Sequence, residues 1–383
     1  MNQPKFALAA ALLWISVGVR AELPADPFTW EFTELVPGVW TGVRPQSSLY
    51  PVMGSSTFVI GSDGVVVYDG GGAALMSERL LAKIGELTDQ PVTHIVISHW
   101  HGDHHFGIWR ILEQYPHAQV IAHPFTRAAF FGRPMDYLQK QAGAMEILLP
   151  RFTKLLESGV GDDGEPISES GMEQLRYLIS QAEILDAEHK RFAARPPTVT
   201  FEDRMTLYSG DQEIQLLHLG DANTEGDVVM WLPQHRIVAT GDVVVRPTPY
   251  AFNTDPKKWA ATLRNINDLG YEILVPGHGD IQYDHAYVKL TIEALDSVAA
   301  QTDDFIARGL SKEQAGEQLD FSEFDQRFTG GDKQTEGYYQ AYFVKPLRSS
   351  AWRAAHGEVM VKLERDPPAT AETGAGDSKD EHG

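Results

Sequence analysis

Apolar and polar residues alternate along this chain in two β-rich blocks, separated by a long stretch with helical spacing. The first block contains "STFVIGSDGVVVYDGGG" from Ser56, two β-rich runs around a Ser-Asp-Gly turn, which predicts a hairpin. The helical pattern "ALMSERLLAKIGEL", the strand "VTHIVIS", a short helix around "GIWRILEQY" and a strand in "AQVIAHP" follow. The second block runs from Thr198 to Val245 and predicts strands in "TVTFEDRMTLYSGDQEIQLLHLG", "GDVVMWLP" and "HRIVATGDVVV". The helix "DPKKWAATLRNINDLG" and the strand "YEILVPGHGD" come next, then helices over about 284–356. Strands mixed with helices in both halves predict an α/β layered domain, a β-sandwich covered by helices on each face.

Between about Phe125 and Pro197 the runs "EILLPRFTKLLESG" and "MEQLRYLISQAEILDAEHKRFAA" flank the turn-rich "VGDDGEPISES". This reads as a helical insertion, about 125–197, and its place after a strand suggests a cap over a site. Residues 1–21 carry one lysine, an apolar run from Phe6 to about Val19 and small residues at Val19 and Ala21, the form of a secretory signal peptide, too short for a comfortable membrane span. The mature domain is expected over 22–363, periplasmic or secreted and free of the membrane after cleavage. Residues 364–383, poor in apolar side chains and rich in Pro, Gly and acid, read as a disordered acidic tail.

Charge and cysteine content narrow the chemistry. A formal charge of −21, from 53 acidic against 32 basic residues in 383, repels phosphate backbones and argues against a nucleic-acid partner. With no cysteine, thiolate sites and disulfides are excluded, so any metal must be held by nitrogen and oxygen.

The stretch "SHWHGDHHFG", Ser98 to Gly107, makes a metal the natural reading, because clustered imidazoles need polar partners once buried. His99 and His101 are two apart, so at a strand end both can point to one side, and Asp103 and His104 follow in a loop that turns back. Four such ligands can serve two adjacent ions; imidazole and carboxylate suit zinc, iron or manganese.

The order His-x-His-x-Asp-His, followed by Asp242 in "ATGDVVV" and His278 in "PGHGD", resembles the metallo-β-lactamase superfamily over roughly Trp40 to Tyr283. The resemblance implies a four-layer αββα sandwich with two metal ions, zinc first among them, at one edge. It implies His99 and His101 on the first ion, Asp103, His104 and His278 on the second, and Asp242 bridging. Asp69, after "GVVVY", matches an aspartate that receives hydrogen bonds from the metal-site loop. One position departs from the pattern: Asn223 stands where the family's "GHT"-like loop carries the third imidazole of the first ion. An amide oxygen is a weaker ligand, so that site is weaker or completed by water. His218 on "IQLLHLG" is the alternative donor, and an ordinary turn role for Asn223 stays open. His94, His117, His123 and His285 lie outside the matched motifs and read as structural. Trp100 and Phe106 shape the cavity wall or pack locally.

In such a site a metal-bound water loses its proton near neutral pH, its pKa falling from 15.7 to about 7, and the resulting hydroxide attacks a carbonyl carbon while Asp103 orients it. The expected function is an exported metal-dependent hydrolase of a small-molecule ester, lactone, thioester or amide. A carboxylate at Asp242 is more similar to the superfamily's general hydrolases than to its dedicated β-lactam hydrolases, although "NTEGDVVMWLP" resembles a β-lactamase strand and keeps β-lactam turnover open. The alternatives are an iron-dependent oxidoreductase on the same fold, weakened by the lack of an appended flavin-binding domain, and a degenerate metal-binding protein, motivated by Asn223.

Overall fold

The computed structural model describes residues 28–44, 52–142, 145–161 and 164–365; the expected signal peptide and nearly all of the expected tail lie outside them. Two sheets form the centre. The first has seven strands in sequence order, β1 (Glu31–Val36), β2 (Val39–Val43), β3 (Ser56–Gly61), β4 (Gly64–Tyr68), β5 (Val92–Val96), β6 (Gln119–Ala122) and β7 (Val199–Thr200). The second has five, ordered β12 (Ile273–Val275), β11 (Ile237–Ala239), β10 (Val229–Leu232), β9 (Gln212–Leu217) and β8 (Arg204–Ser209). The expected β3–β4 hairpin is present, pairing Thr57 with Tyr68 through Gly61 with Gly64.

The period of two along each strand builds the layers. Val66 and Tyr68 face the second sheet, where they meet Leu216, Met230, Ile237 and Val275. Their neighbours Val65 and Val67 face the other way, onto α1 (Ala74–Leu87) and α3 (Ile108–Gln114), the latter preceded by the single turn α2 (Gly102–His105). In the second sheet Leu217, Trp231, Val238 and Leu274 turn outward onto α8 (Pro256–Asp268) and α9 (Ala286–Ala307). The result is the expected αββα sandwich. Further helices complete the outer layer after α9: α10 (Lys312–Gln318), α11 (Ser322–Thr329), α12 (Lys333–Tyr338), a π-helix (Tyr339–Val344) and α13 (Lys345–Ala355). Among the described residues, no helix is long and apolar enough to cross a membrane.

The insertion consists of α4 (Pro124–Ala129), α5 (Arg133–Ala142), α6 (Met145–Ser158) and α7 (Glu169–Arg191). The last two pack on each other around Phe152, Leu155 and Leu175. Beyond α7, the Phe192 ring packs 4.2 Å from that of Phe106, on the helical side of the first sheet. Strand β7 differs from expectation. It begins the second β-rich block in sequence, yet pairs parallel to β6, Ile121 with Val199, and so closes the first sheet after the insertion. The "VVV" after Asp242 also differs: the chain forms a 3-10 turn at Gly241–Val243, where Gly241 takes a left-handed backbone (φ +51) one residue beyond Thr240, which follows β11.

Candidate metal centre

Each element that reaches the edge of the sandwich ends there in a polar side chain. β5 runs out into Ser98–His101, α2 carries Asp103 and His104, the turn after β11 carries Asp242, and the loop after β12 carries His278. His99, His104, Asp242 and His278 are buried. The chain closes tightly around them. A Cβ at Gly54 would lie 2.5 Å from the His104 ring, and one at Gly277 would lie 2.1 Å from Asp242 Oδ1, so neither position admits a side chain without displacement.

The predicted residues form two trios whose candidate donor atoms lie within 4.8 Å of one another: His99, His101 and Asp242; and Asp103, His104 and His278. Asp242 faces both. Its Oδ2 lies 3.6 Å from His99 Nε2, and its Oδ1 lies 3.1 Å from His104 Nε2 and 3.3 Å from His278 Nε2. Asp103 Oδ2 lies 3.1 Å from His278 Nε2 and 3.4 Å from His104 Nε2. His99 Nε2 and His101 Nδ1 converge at 3.0 Å.

A buried network behind the trios fixes which nitrogen points forward. Asp69 accepts from the Ser98 backbone N–H (2.8 Å) and the Ser98 hydroxyl (2.7 Å), and from His104 Nδ1 (2.8 Å). The Ser98 oxygen in turn meets His99 Nδ1 at 2.9 Å. With Nδ1 of both rings so engaged, Nε2 of His99 and of His104 is the nitrogen turned toward the trios. Asp69 thus has the hydrogen-bonding role expected of it, and holds an unusual φ of +60 to do so.

The imidazoles and carboxylates of the two trios shift one another's ionisation strongly. Burial works against ionisation at Asp242 and Asp103, but the imidazoles of His278 and His104 hold both carboxyls well below the usual carboxylate range. Burial likewise disfavours the charged form of His278, yet Asp242 and Asp103 raise it to about 9. His104 Nε2, His278 Nε2 and Asp242 Oδ1 are buried, the two nitrogens facing that oxygen at 3.1 and 3.3 Å without the alignment of a hydrogen bond, and Asn223 Oδ1 is buried with no hydrogen-bond partner.

Asn223 is buried, and its Nδ2 donates to the Tyr250 carbonyl at 3.0 Å, which leaves the oxygen as the unpaired atom. The loop that carries it is clasped by Asp227, which accepts from the Thr224 backbone N–H (2.8 Å) and sits 2.9 Å from the Thr224 hydroxyl. Burial pushes the Asp227 carboxyl up to about 8. His218 does not complete the first trio. Its Nδ1 is committed to the Asp227 carbonyl at 2.9 Å and its ring stacks on His123 at 4.4 Å, because its position on the β9 exit directs it toward α4. His94 pairs with the Thr93 hydroxyl, His123 caps α4 and His285 bonds Asn267 and the Tyr271 carbonyl, all outside the trios. Trp100 and Phe106 are buried; the Trp100 indole lies 4.4 Å from the His101 ring.

One neighbour of the centre escaped the sequence reading. The Tyr250 ring lies 5.4 Å from that of His278, and burial, with Tyr342 and Asp242 nearby, pushes its phenol well above its ordinary pKa. The available signal was an aromatic pair, Tyr250 and Phe252, in the loop that follows Asp242.

Comparison with known proteins agrees with this fold. The model of the metallo-beta-lactamase superfamily matches residues 49–278. A linear primary-alkylsulfatase from Pseudomonas sp. (strain ATCC 19151) is 22% identical over 269 residues, 67% of this chain and 48% of that protein. A metallo-beta-lactamase type 2 from Bacillus cereus is 23% identical over 155 residues, 38% of this chain and 60% of that protein. An atrochrysone carboxyl ACP thioesterase from Pseudocercospora fijiensis is 31% identical over 106 residues, 26% of this chain and 29% of that protein. Among solved structures, a stereoselective inverting sec-alkylsulfatase from Pseudomonas sp. superposes with a TM-score of 0.59 at 17% identity, covering 88% of this chain and 52% of the other. The chain spans about half the length of these alkylsulfatases.

Proposed function

Because the chain belongs to the metallo-β-lactamase superfamily, we propose that it is an exported hydrolase with two metal ions, zinc foremost, acting on an ester, lactone, thioester or amide in a small molecule. Metal-dependent hydrolysis follows from the family and from relatives that are themselves hydrolases. The proposal adds the ligands, the bond and the location. His99, His101 and Asp242 would hold one ion, Asp103, His104 and His278 the other, with Asp242 between them and Asn223 Oδ1 completing the first side. Export rests on the N-terminal apolar run.

The observation that carries the reading is the convergence of four imidazoles and two carboxylates, whose candidate donor atoms lie within 4.8 Å of one another in each of two trios joined through Asp242. So many buried polar groups crowded face to face are costly to leave without a cation between them, and Asn223 Oδ1 adds a buried oxygen with no hydrogen bond of its own. An all-nitrogen-and-oxygen set with imidazoles in the majority fits zinc, and tolerates iron or manganese. When bound, such ions acidify a water and polarise the carbonyl oxygen under attack.

The chain's own residues do the rest. The Asp103 side chain is 22% exposed against 3% for Asp242, so Asp103 is the carboxylate that an entering water can reach. It accepts a hydrogen bond from that water and orients its oxygen toward the carbonyl carbon. The proton the water gives up as the new carbon–oxygen bond forms ends on the departing alkoxide, thiolate or amine as the carbon–heteroatom bond breaks. Asp69 and Ser98 keep the rings of His99 and His104 from rotating. The helical insertion, in contact with Phe106 through Phe192, is the element we propose limits substrate size.

A sulfate ester is the second reading, favoured by the alkylsulfatase match over 67% of the chain. A panel of carboxylic esters, lactones, thioesters, β-lactams and alkyl sulfates, run on zinc-loaded and chelated protein, tests both. Turnover of a carbonyl substrate, lost on chelation and restored by zinc, is expected. Turnover of alkyl sulfates alone transfers the function to the second reading, and no turnover of any member contradicts both.

A further inference from the structure

The loop after the Asp242 turn brings an aromatic group to the edge of the centre. Tyr250 lies against His278, with ring centroids 5.4 Å apart. Tyr342 lies 4.9 Å and Phe252 6.0 Å from Tyr250, and Phe252 and Tyr342 are 5.7 Å apart, so the three rings close a triangle. Its backbone is tied on two sides, by the Ala251 N–H to the Tyr342 carbonyl at 2.8 Å and by Asn223 Nδ2 to the Tyr250 carbonyl at 3.0 Å. Tyr342 itself sits in the π-helix, a rare wide turn that is frequent at functional sites.

Three touching rings are ordinary core filling when they are sealed. These are not. Exposure runs from 8% at Tyr250 to 36% at Phe252, so the group begins against a site imidazole and ends in solvent. The Tyr250 hydroxyl makes no hydrogen bond among the described residues, although a largely buried phenol usually finds a partner. An apolar surface continuous with the reacting centre, with one uncommitted donor at its inner end, matches a substrate that is apolar at one end and polar at the scissile bond.

We propose that Tyr250, Phe252 and Tyr342 form the wall that receives an extended alkyl or aryl group of the substrate, with the Tyr250 hydroxyl donating to an oxygen of the scissile group. The preferred substrates are then esters with medium-length apolar chains rather than acetyl esters. The inference rests on the reading that His278 belongs to the reaction centre. Asn223 acts here as a positioning residue, holding the Tyr250 main chain.

Calorimetric titration of the metal-loaded protein with acetate and with octanoate reads the wall without turnover. Octanoate is expected to bind at least about tenfold more tightly than acetate, and Phe252→Ser, at the exposed end, to cut that preference about threefold while leaving acetate affinity and metal content unchanged. Equal affinity for the two probes, or an undiminished preference in Phe252→Ser, overturns the wall. The isosteric Tyr250→Phe is expected to lower kcat/KM about tenfold on short and medium esters alike, with metal content and the octanoate-to-acetate ratio kept; unchanged kcat/KM overturns the role of the hydroxyl. If no ester is hydrolysed but the octanoate preference is present and depends on Phe252, the wall stands and the proposed reaction falls. If esters are hydrolysed with no chain-length preference, the reverse holds.

Discussion

His123 and His218, stacked at 4.4 Å, and the histidines of the two trios are the same residue type used in opposite ways. In the stacked pair, His123 Nδ1 accepts the Phe125 N–H that opens α4, and His218 Nδ1 is bonded to the Asp227 carbonyl. These imidazoles work as scaffold, joining the start of the insertion to the exit of β9. In the trios His99 and His104 are held from the rear, by Ser98 and Asp69, and the forward nitrogens of His104 and His278 face the carboxylates of Asp242 and Asp103 at 3.1 Å. The stacked pair is only partly buried, whereas His99, His104 and His278 are buried, and the partners differ as well. An imidazole fixed from behind, with its other nitrogen turned into a cluster of carboxylates and further imidazoles, is prepared for a cation.

Breaking the forward side should cost most. His101→Ala is predicted to lower kcat/KM more than about a hundredfold with the circular dichroism spectrum retained, because the loss disorganises the centre and leaves both sheets intact. A fully active variant removes His101 from the centre. Breaking the rear side comes next. Asp69→Asn places an N–H where Oδ2 now accepts from His104 Nδ1–H and Ser98, which forces the other tautomer on His104 and blocks its Nε2. A drop of about ten- to a hundredfold in metal affinity is expected in competitive chelator titration, and wild-type affinity would show that the tautomer is set elsewhere.

Sharpening the comparison calls for gentler changes. Asn223→His should tighten the first site, since imidazole is a stronger donor to zinc than an amide oxygen; chelator titration should show the weaker ion retained to about tenfold higher chelator concentration. Release at the wild-type concentration means that position 223 does not face the ion. The smallest effect belongs to the scaffold pair. Burial and then the neighbouring His218 lower the His123 pKa to about 4, so between that value and the ordinary 6.5 the unfolded chain binds a proton that the folded chain refuses. Its contribution to stability is complete above about pH 6.5 and is lost as pH falls toward 4. His123→Asn keeps a side chain suited to capping α4 and should leave kcat/KM within about twofold while flattening the fall in urea midpoint between pH 7 and pH 5. An unchanged pH slope, or lost metal, places His123 in the wrong group.

Much of this was legible because strand ends carry the chemistry. The runs before His99, Asp242 and His278 have local patterns that predict where each strand stops, and the His-x-His spacing orients two side chains without further information. Strands β1 and β2 escaped the local pattern. They are interrupted by Pro37 and Gly38, and β1 is an edge strand with half-exposed faces, so alternation there is weak. The pairing of β7 with β6 was hidden because a register across the whole insertion is a long-range property. At Asn223 the residue was visible but the direction of its amide was not: only the Tyr250 carbonyl decides which atom is left unpaired. Tyr342 reaches Tyr250 by tertiary packing of the C-terminal helices, which periodicity does not encode.

The central claim is that the two trios form a two-ion centre, and metal stoichiometry tests it most directly. Elemental mass spectrometry of protein purified without added chelator, with hydrolysis followed on the same samples through chelation and zinc return, is predicted to give about two ions per chain, activity that falls as they leave, and recovery on their return. Protein that carries well under one ion per chain and keeps its full activity after exhaustive chelation would contradict the account.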